Sequence, residues 1–452
     1  MAVLSIPLIP QTPAKSANAI PLQRSRTVGD GEAETSFVTV DWSKKIRAVD
    51  AKSYGVDCPA CFDPAWTHNP GFLQALATVT ADGKPLIRLH GWGMVQQGSN
   101  ECWLNKDNTW NAKKIESALA PLVKAGYKLL IDIPAGPGGD HNLHDLRDTK
   151  AMASFAAALV KIVNVDNHFD VRYWELPNEQ EHTITATEMA ALLSDASTAM
   201  KAVDPKILFG GPALDHIDVD YMTAVVKGSL SHLDFVSAHT YGGDGKQTDA
   251  VSYASALKAV ADVHSLRARL TEISKGKYLP IFIDEYNIGY EPTPKIFDNA
   301  GAVYFSLIQA GVVDAGGDVS AVWDCSAPHD MSIVEPDGTL HVSANLFSLM
   351  NRYFYGSQVS AMSPDSGSLY VYAVENTSSH SILLSNLTEA ARNVAIKFTG
   401  WTPKASTKYQ ISSGGFTGLG QTMWPPSQII EITLPSKSVT VLISNGRSKD
   451  GV

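Results

Sequence analysis

The chain has 452 residues, enough for a barrel of about 250–300 residues with a second unit beside it. Apolar residues make up 44% and charged residues 18%, the balance of an ordinary globular chain. A net charge of −10 without a block of like charge argues against nucleic acids and anionic membrane surfaces as partners, and no run of 18 apolar residues is present to span a membrane.

The first 32 residues show no periodicity. Residues 2–9 (AVLSIPLI) are apolar, but short and broken by Pro, and AKSANAIPL carries small residues of the kind found at cleavage sites. The segment reads as a polar tail or as a trimmed export signal. A secreted or periplasmic location follows from the second reading, and a cytoplasmic one stays open. SFVTVDW (36–42) then alternates like a strand.

From residue 53 a repeating pattern begins, a short apolar run followed by a loop and an amphipathic stretch. The runs are SYGVD (53–57), PLIRLH (85–90), YKLLIDI (127–133), VRYWEL (171–176), KILFGG (206–211), LDFVSAH (233–239), LPIFIDE (279–285) and DVSAVWD (318–324). Helical patterns such as AKKIESALAPLVKAG (112–126) lie between them. Near-continuous apolar strands alternating with helices predict a parallel sheet covered by helices, and eight repeats predict a closed (β/α)₈ TIM barrel. No Gly-x-Gly-x-x-Gly follows the first strand, which disfavours a dinucleotide fold. Beyond Tyr355 the pattern changes to short alternating strands separated by Ser, Gly, Pro and Asn turns, which predicts a C-terminal β-sandwich. The expected organisation is a tail (1–32), a strand segment belonging to the sandwich (33–47), a catalytic barrel (48–355) and the sandwich (356–452).

Active sites of such barrels gather at the C-terminal ends of the strands. Strand 4 ends in YWELPNEQE, which puts Asn178 and Glu179 just past it, and strand 7 ends in IFIDEYN with Glu285. The two glutamates are three strand steps apart, so they face one another across the mouth. A carboxyl pair flanking one bond is what glycoside hydrolysis needs, and retention requires about 5–5.5 Å between the two. Arg88 and His90 alternate onto one side of strand 2, as do His239 and Tyr241 on strand 6. An Arg and a Tyr beside a carboxylate would hold it ionised and oriented. Trp323 ends strand 8, where its ring can floor a sugar. Trp92 stays open between substrate contact and packing. Glu175 is expected to support the site from behind, and Asp284 to alternate away from Glu285.

The motifs WELPNE, FVSAHTY, IDEY and VWD together resemble clan A glycoside hydrolases. LIRLHGWG (86–93) and LFGGPAL (208–214) are similar to family 39, whose members include β-xylosidases, α-L-iduronidases and bacterial exopolysaccharide hydrolases. The resemblance covers about residues 50–355. It implies a retaining mechanism with Glu179 as acid/base and Glu285 as nucleophile. It leaves Arg88, His90, Asn178, His239, Tyr241 and Trp323 as the substrate-binding set. One departure stands out: WELPNE replaces the commoner W-x-x-W-N-E-P form, and no Pro follows Glu179.

The loop run DHNLHD (140–145) invites a metal reading, but its spacing matches no structural zinc pattern. Neither a metal nor a cofactor is expected. Cys58, Cys61, Cys102 and Cys325 follow neighbouring strands, and the choice between one or two disulfides, free thiols and a zinc site stays open. Asn376 and Asn386 sit in Asn-x-Ser/Thr sequons. The function expected is retaining hydrolysis of an O-glycosidic bond in an oligo- or polysaccharide. The alternatives are a transglycosylase on the same residues and a carbohydrate-binding barrel without turnover. Neither the sugar, the choice between exo and endo action, nor the oligomeric state is readable.

Overall fold

The computed structural model describes residues 35–91, 93–95, 98–134, 145–326, 331–425 and 427–445. The tail (1–32), Trp92 and all of DHNLHD except Asp145 lie outside the described residues.

Strand β1 (Ser36–Val49) opens the described chain and is followed by eight parallel strands. These are β2 (Tyr54–Asp57), β3 (Leu86–Leu89), β4 (Lys128–Asp132), β5 (Tyr173–Glu175), β6 (Leu208–Leu214), β7 (Phe235–Tyr241), β8 (Ile281–Asn287) and β9 (Val319–Val322). They close into a barrel in chain order, with β9 pairing back onto β2. Each of the eight apolar runs supplies one of these strands.

Helices cover the outside by the usual apolar stripe. In Ala112–Lys124 the buried residues are Ile115, Ala118, Leu119 and Leu122, a spacing that puts all four on one face. The helix Asn299–Asp314 departs from this and is buried nearly all round. It lies between the barrel and the sheet described below. Inside the barrel, Leu86, Leu130, Phe235, Phe282 and Val319 form an apolar layer, with the Phe235 and Phe282 rings stacked at 4.4 Å. Gly210 makes room for that layer, since a Cβ there would stand 2.5 Å from the Phe235 ring. This apolar floor supports the polar groups at the strand ends.

The C-terminal region adds β10 (Gly356–Met362), β11 (Leu369–Glu375), β12 (Ser379–Asn386), β13 (Arg392–Thr399), β14 (Ala405–Ser412), β15 (Gly415–Met423), β16 (Ile429–Leu434) and β17 (Ser438–Asn445). With β1 they make one nine-stranded sheet in the order β15-β14-β17-β12-β11-β10-β1-β13-β16. The sheet curls so that β1, β11, β12, β13 and β16 share one core, which includes Val38, Trp42, Leu384, Ile396 and Ile432. The β-sandwich is therefore one continuous sheet folded onto itself. β1 lies between β10, antiparallel, and β13, parallel. The opposite faces of β11, β12 and β17 join the barrel's own core through Tyr372, Leu383 and Val441. Burial on both faces explains why SILLS and VTVLIS read as nearly continuous apolar runs.

Two strands escape the sequence pattern. β15 (GFTGLGQTM) is a glycine-rich, mostly exposed edge strand, and β10 (GSQVSAM) buries only Gln358 and Val359, which are adjacent. Neither carries the alternation that marks a half-buried strand.

Candidate active site

At the C-terminal ends of the barrel strands, polar groups replace the apolar layer. Arg88, on β3, is 1% exposed and forms the hub. Its Nε donates to Glu175 at 2.8 Å. Nη1 donates to Asp57 at 2.7 Å and to Glu285 at 2.8 Å, and Nη2 donates to Asn178 at 2.7 Å. A fixed guanidinium fork therefore sets the positions of residues from β2, β5, β8 and the loop after β5 at once.

Glu285 receives its second oxygen's bond from the Tyr241 hydroxyl at 2.6 Å. Burial opposes ionisation of Glu285. The charges of His239, Arg88 and His90 and the Tyr241 hydrogen bond outweigh it and hold the carboxyl at about 2. Tyr241 itself is pushed well above its ordinary range by burial and by the Glu285 charge, so it stays a donor. His90 lies 3.1 Å from Asp132 through Nδ1 and edge-on to the Trp323 ring at 5.1 Å. Burial works against the His90 imidazolium, but Asp132 and Glu285 raise it to about 9.

Glu179 stands opposite, at the mouth, its side chain 38% exposed. Its backbone is left-handed (φ 51°), a conformation that costs a non-glycine residue about 1–3 kcal/mol, and its amide donates to the Ala213 carbonyl at 2.9 Å. Beyond it the Thr185–Glu188 capping box fixes the start of the helix Ala186–Val203, so the loop is pinned at both ends. On the β6 side, Gly211 adopts φ 140° close against the Leu176 carbonyl. Only glycine suits that position, which gives the GG of LFGGPAL a physical reason.

His239 bridges the two glutamates. Its Nδ1 is 2.7 Å from Glu179 and 3.5 Å from Glu285. Burial disfavours its charged form, yet the Glu285 charge and the Glu179 contact raise it overall. One carboxylate oxygen of each glutamate and a ring nitrogen of His239 lie within 4.8 Å of one another. That spacing could hold a cation, but the Arg88 charge touching Glu285 opposes one there.

The structure thus brings together Glu179, Glu285, Arg88, His90, Asn178, His239, Tyr241 and Trp323. Arg88 and His239 are buried, and they contact Glu285 at 2.8 Å and Glu179 at 2.7 Å respectively. Asp284 departs from the alternation argument. The β7–β8 register skips it, pairing Ala238 with Ile283 and His239 with Glu285. The bulge turns Asp284 inward as well, where it is buried 3.8 Å from His239. Burial and the neighbouring Glu175 charge push Asp284 well above the usual carboxylate range. Sequence reasoning passed over Asp57 and Asp132, which anchor Arg88 and His90. Their signal was available, since each is a lone acid at the end of an apolar barrel strand.

Cys58 and Cys61 form a disulfide with Cα atoms 5.6 Å apart, and Cys102 and Cys325 are buried as free thiols. Asn386 is fully buried and its amide donates to Ala390 and Pro435, so this sequon is a structural turn and not an accessible acceptor.

Parallel strands closed in chain order, with paired carboxylates across the mouth, define the kind of barrel the strand-end motifs resemble. The comparisons with known proteins agree. The model described as Glycosyl hydrolases family 39 matches residues 159–324, which include both Glu179 and Glu285. A β-xylosidase of Geobacillus stearothermophilus is 28% identical over 160 residues, 33% of this chain and 29% of that enzyme. The match therefore spans less than a third of the relative's length. Among solved structures, a monomeric β-xylosidase from Caulobacter crescentus CB15 superposes with a TM-score of 0.67 at 16% identity, covering 92% of this chain and 100% of that one. An α-L-arabinofuranosidase from Thermotoga maritima gives 0.68 at 14% identity, covering 91% and 100%. At these identities the superpositions establish the shared fold, barrel and curled sheet together.

Proposed function

We propose that this chain is a retaining glycoside hydrolase acting by double displacement on an oligo- or polysaccharide. The observation that carries the reading is the Glu179–Glu285 pair, with carboxylate oxygens within 4.8 Å. That spacing is close to the ~5–5.5 Å of retention and too short for the ~6.5–9.5 Å that leaves room for an inverting water.

Glu285 is the nucleophile. It is held ionised and oriented by Arg88 and Tyr241, so an oxygen is ready to attack the anomeric carbon. Glu179 protonates the leaving oxygen from the exposed side of the mouth. The Glu179–His239 hydrogen bond holds its carboxyl in place. Forming the glycosyl ester removes the Glu285 charge. Glu179 then takes a proton from the incoming water and the ester breaks. His90, Trp323 and Asn178 line the mouth and are left to contact the sugar. The β-xylosidase relative and the motif resemblance favour a β-xyloside or another substrate with an equatorial leaving group.

The test separates the two glutamates. Glu179→Ala should still glycosylate Glu285 from an activated aryl β-glycoside, which needs no proton, and then stall. Added azide should release a glycosyl azide of retained configuration. An inverted azide from Glu179→Ala, or retention on azide rescue of Glu285→Ala, would reverse the assignment. Absence of any hydrolysis by wild type across aryl glycosides and polysaccharides would favour the binding-only barrel instead.

A further inference from the structure

Two residues beyond Glu179, a second group of chemistry-bearing side chains faces solvent. The loop after β5 carries Glu181-His182, and the loop after β6 carries Asp215-His216. Neighbouring barrel strands therefore present two acid–histidine dipeptides to one another. The Asp215 amide donates to Glu181 Oε1 at 2.6 Å. His182 Nε2 lies 3.0 Å from Asp215 Oδ2, and His216 Nδ1 contacts Asp215 Oδ1. Donor atoms of Glu181, His182 and Asp215 all lie within 4.8 Å of one another.

None of these groups is used by the proposed mechanism, and their arrangement is costly without a ligand. Glu181 Oε2 is shut away from solvent and has no hydrogen-bond partner. The Glu181 and Asp215 carboxylates are held against one another, with a donor oxygen of each within 4.8 Å of the other. Two acceptors held face to face are relieved by a proton or by a cation. The His182 imidazole decides which cation. Oxygen-only cages suit calcium and magnesium, whereas an imidazole with two carboxylates suits zinc and similar transition metals. The spacing agrees. Tetrahedral zinc with bonds of about 2.0–2.1 Å puts its donors roughly 3.3 Å apart, close to the His182–Asp215 separation of 3.0 Å. The side chains of His182 and His216 are 71% and 58% exposed, so an ion can enter from solvent without rearrangement of the barrel.

We propose that Glu181, His182 and Asp215, with His216 held against Asp215, form a zinc-type divalent metal site that ties the β5 loop to the β6 loop. The site is peripheral to the two glutamates and takes no part in bond cleavage. Because Glu181 is two residues from Glu179, an ion there fixes the loop that positions Glu179.

The test uses the untagged full chain, stripped with chelator and titrated calorimetrically with Zn²⁺, Mg²⁺ and Ca²⁺. One Zn²⁺ should bind and raise the melting temperature, while Mg²⁺ and Ca²⁺ do neither. The double variant His182→Ala/His216→Ala should weaken Zn²⁺ binding by at least about tenfold. Glu285→Gln should leave it unchanged. Unaltered affinity in the double variant, or loss in Glu285→Gln, overturns the proposal, as does binding of Ca²⁺ in preference to Zn²⁺. Anomalous scattering at the zinc edge from wild-type crystals decides the matter without any variant. A peak about 2.0–2.2 Å from the Glu181, His182 and Asp215 donors supports the site, and a peak only elsewhere, or none, refutes it.

Discussion

The barrel mouth and the folded sheet both bury polar side chains, but of opposite kinds. The mouth buries an arginine, two histidines and several carboxylates around a single hub. The sheet buries Ser379, Ser381, Ser385, Ser438, Thr440 and Ser444, all neutral and small. Ser381 donates to the Tyr353 carbonyl, and Ser385 meets Ser306 at 2.7 Å across the junction with the barrel. Removing a charge from water costs several kcal/mol, while a hydrogen-bonded hydroxyl costs little. The contrast separates the part of this molecule that would carry the proposed chemistry from the part that packs against the barrel.

The comparison breaks first at Glu285. Glu285→Ala should reduce turnover of an aryl glycoside by on the order of 10⁴–10⁶-fold, because no other group is placed to attack. Activity within tenfold of wild type would remove the mouth from the mechanism. Arg88→Met comes next. It leaves Asp57, Glu175 and Glu285 buried without their common partner. Breaking such a pairing should cost about 3–5 kcal/mol in denaturant unfolding and abolish turnover as well.

The third test is pH. His90 is raised in the folded state from its ordinary 6.5 to about 9. Its contribution to stability is therefore complete below about 6.5 and lost as the pH rises through about 9. Glu285, lowered to about 2 from an ordinary 4.5, contributes above 4.5 and loses that contribution as the pH falls toward 2. The melting temperature should fall on both sides, and His90→Gln should flatten the alkaline side alone. A profile unaltered by that substitution would show that His90 is not charged when folded. The smallest effect belongs to the sheet. Ser385→Ala removes one hydroxyl contact across the junction while Ser306 keeps its bond to the Val303 carbonyl. A loss of about 0.5–1.5 kcal/mol with unchanged turnover is expected from thermal unfolding and assay together.

What the sequence reveals follows the same division. The eight barrel strands are legible because each is buried on both faces and reads as an apolar run, with its end marked by a polar residue. Glu179, Glu285, Arg88 and Tyr241 are legible because strand ends sit at the mouth. Alternation fails at Asp284, where a bulge adds a residue that only the pairing register reveals. Asp57 and Asp132 were visible as acids but not as partners, because a residue's neighbours across a barrel are far away in sequence. β15 was hidden by being exposed and rich in glycine.

The position of β1 has a consequence for how the chain comes into being. It ends at Val49, and its antiparallel neighbour β10 begins at Gly356, 307 residues later. Its parallel neighbour β13 starts later still, at Arg392. At about 5–20 residues per second, a ribosome needs roughly 15–60 s to supply the first partner. Through that interval a strand bearing Val38, Val40 and Trp42 has no sheet to join, while the whole barrel is being made. The barrel is inserted in sequence between β1 and the strands it pairs with, so those pairings can form only after the barrel has been made. Anything that shields an orphan strand during those seconds acts on the yield of folded protein and leaves the finished molecule unchanged.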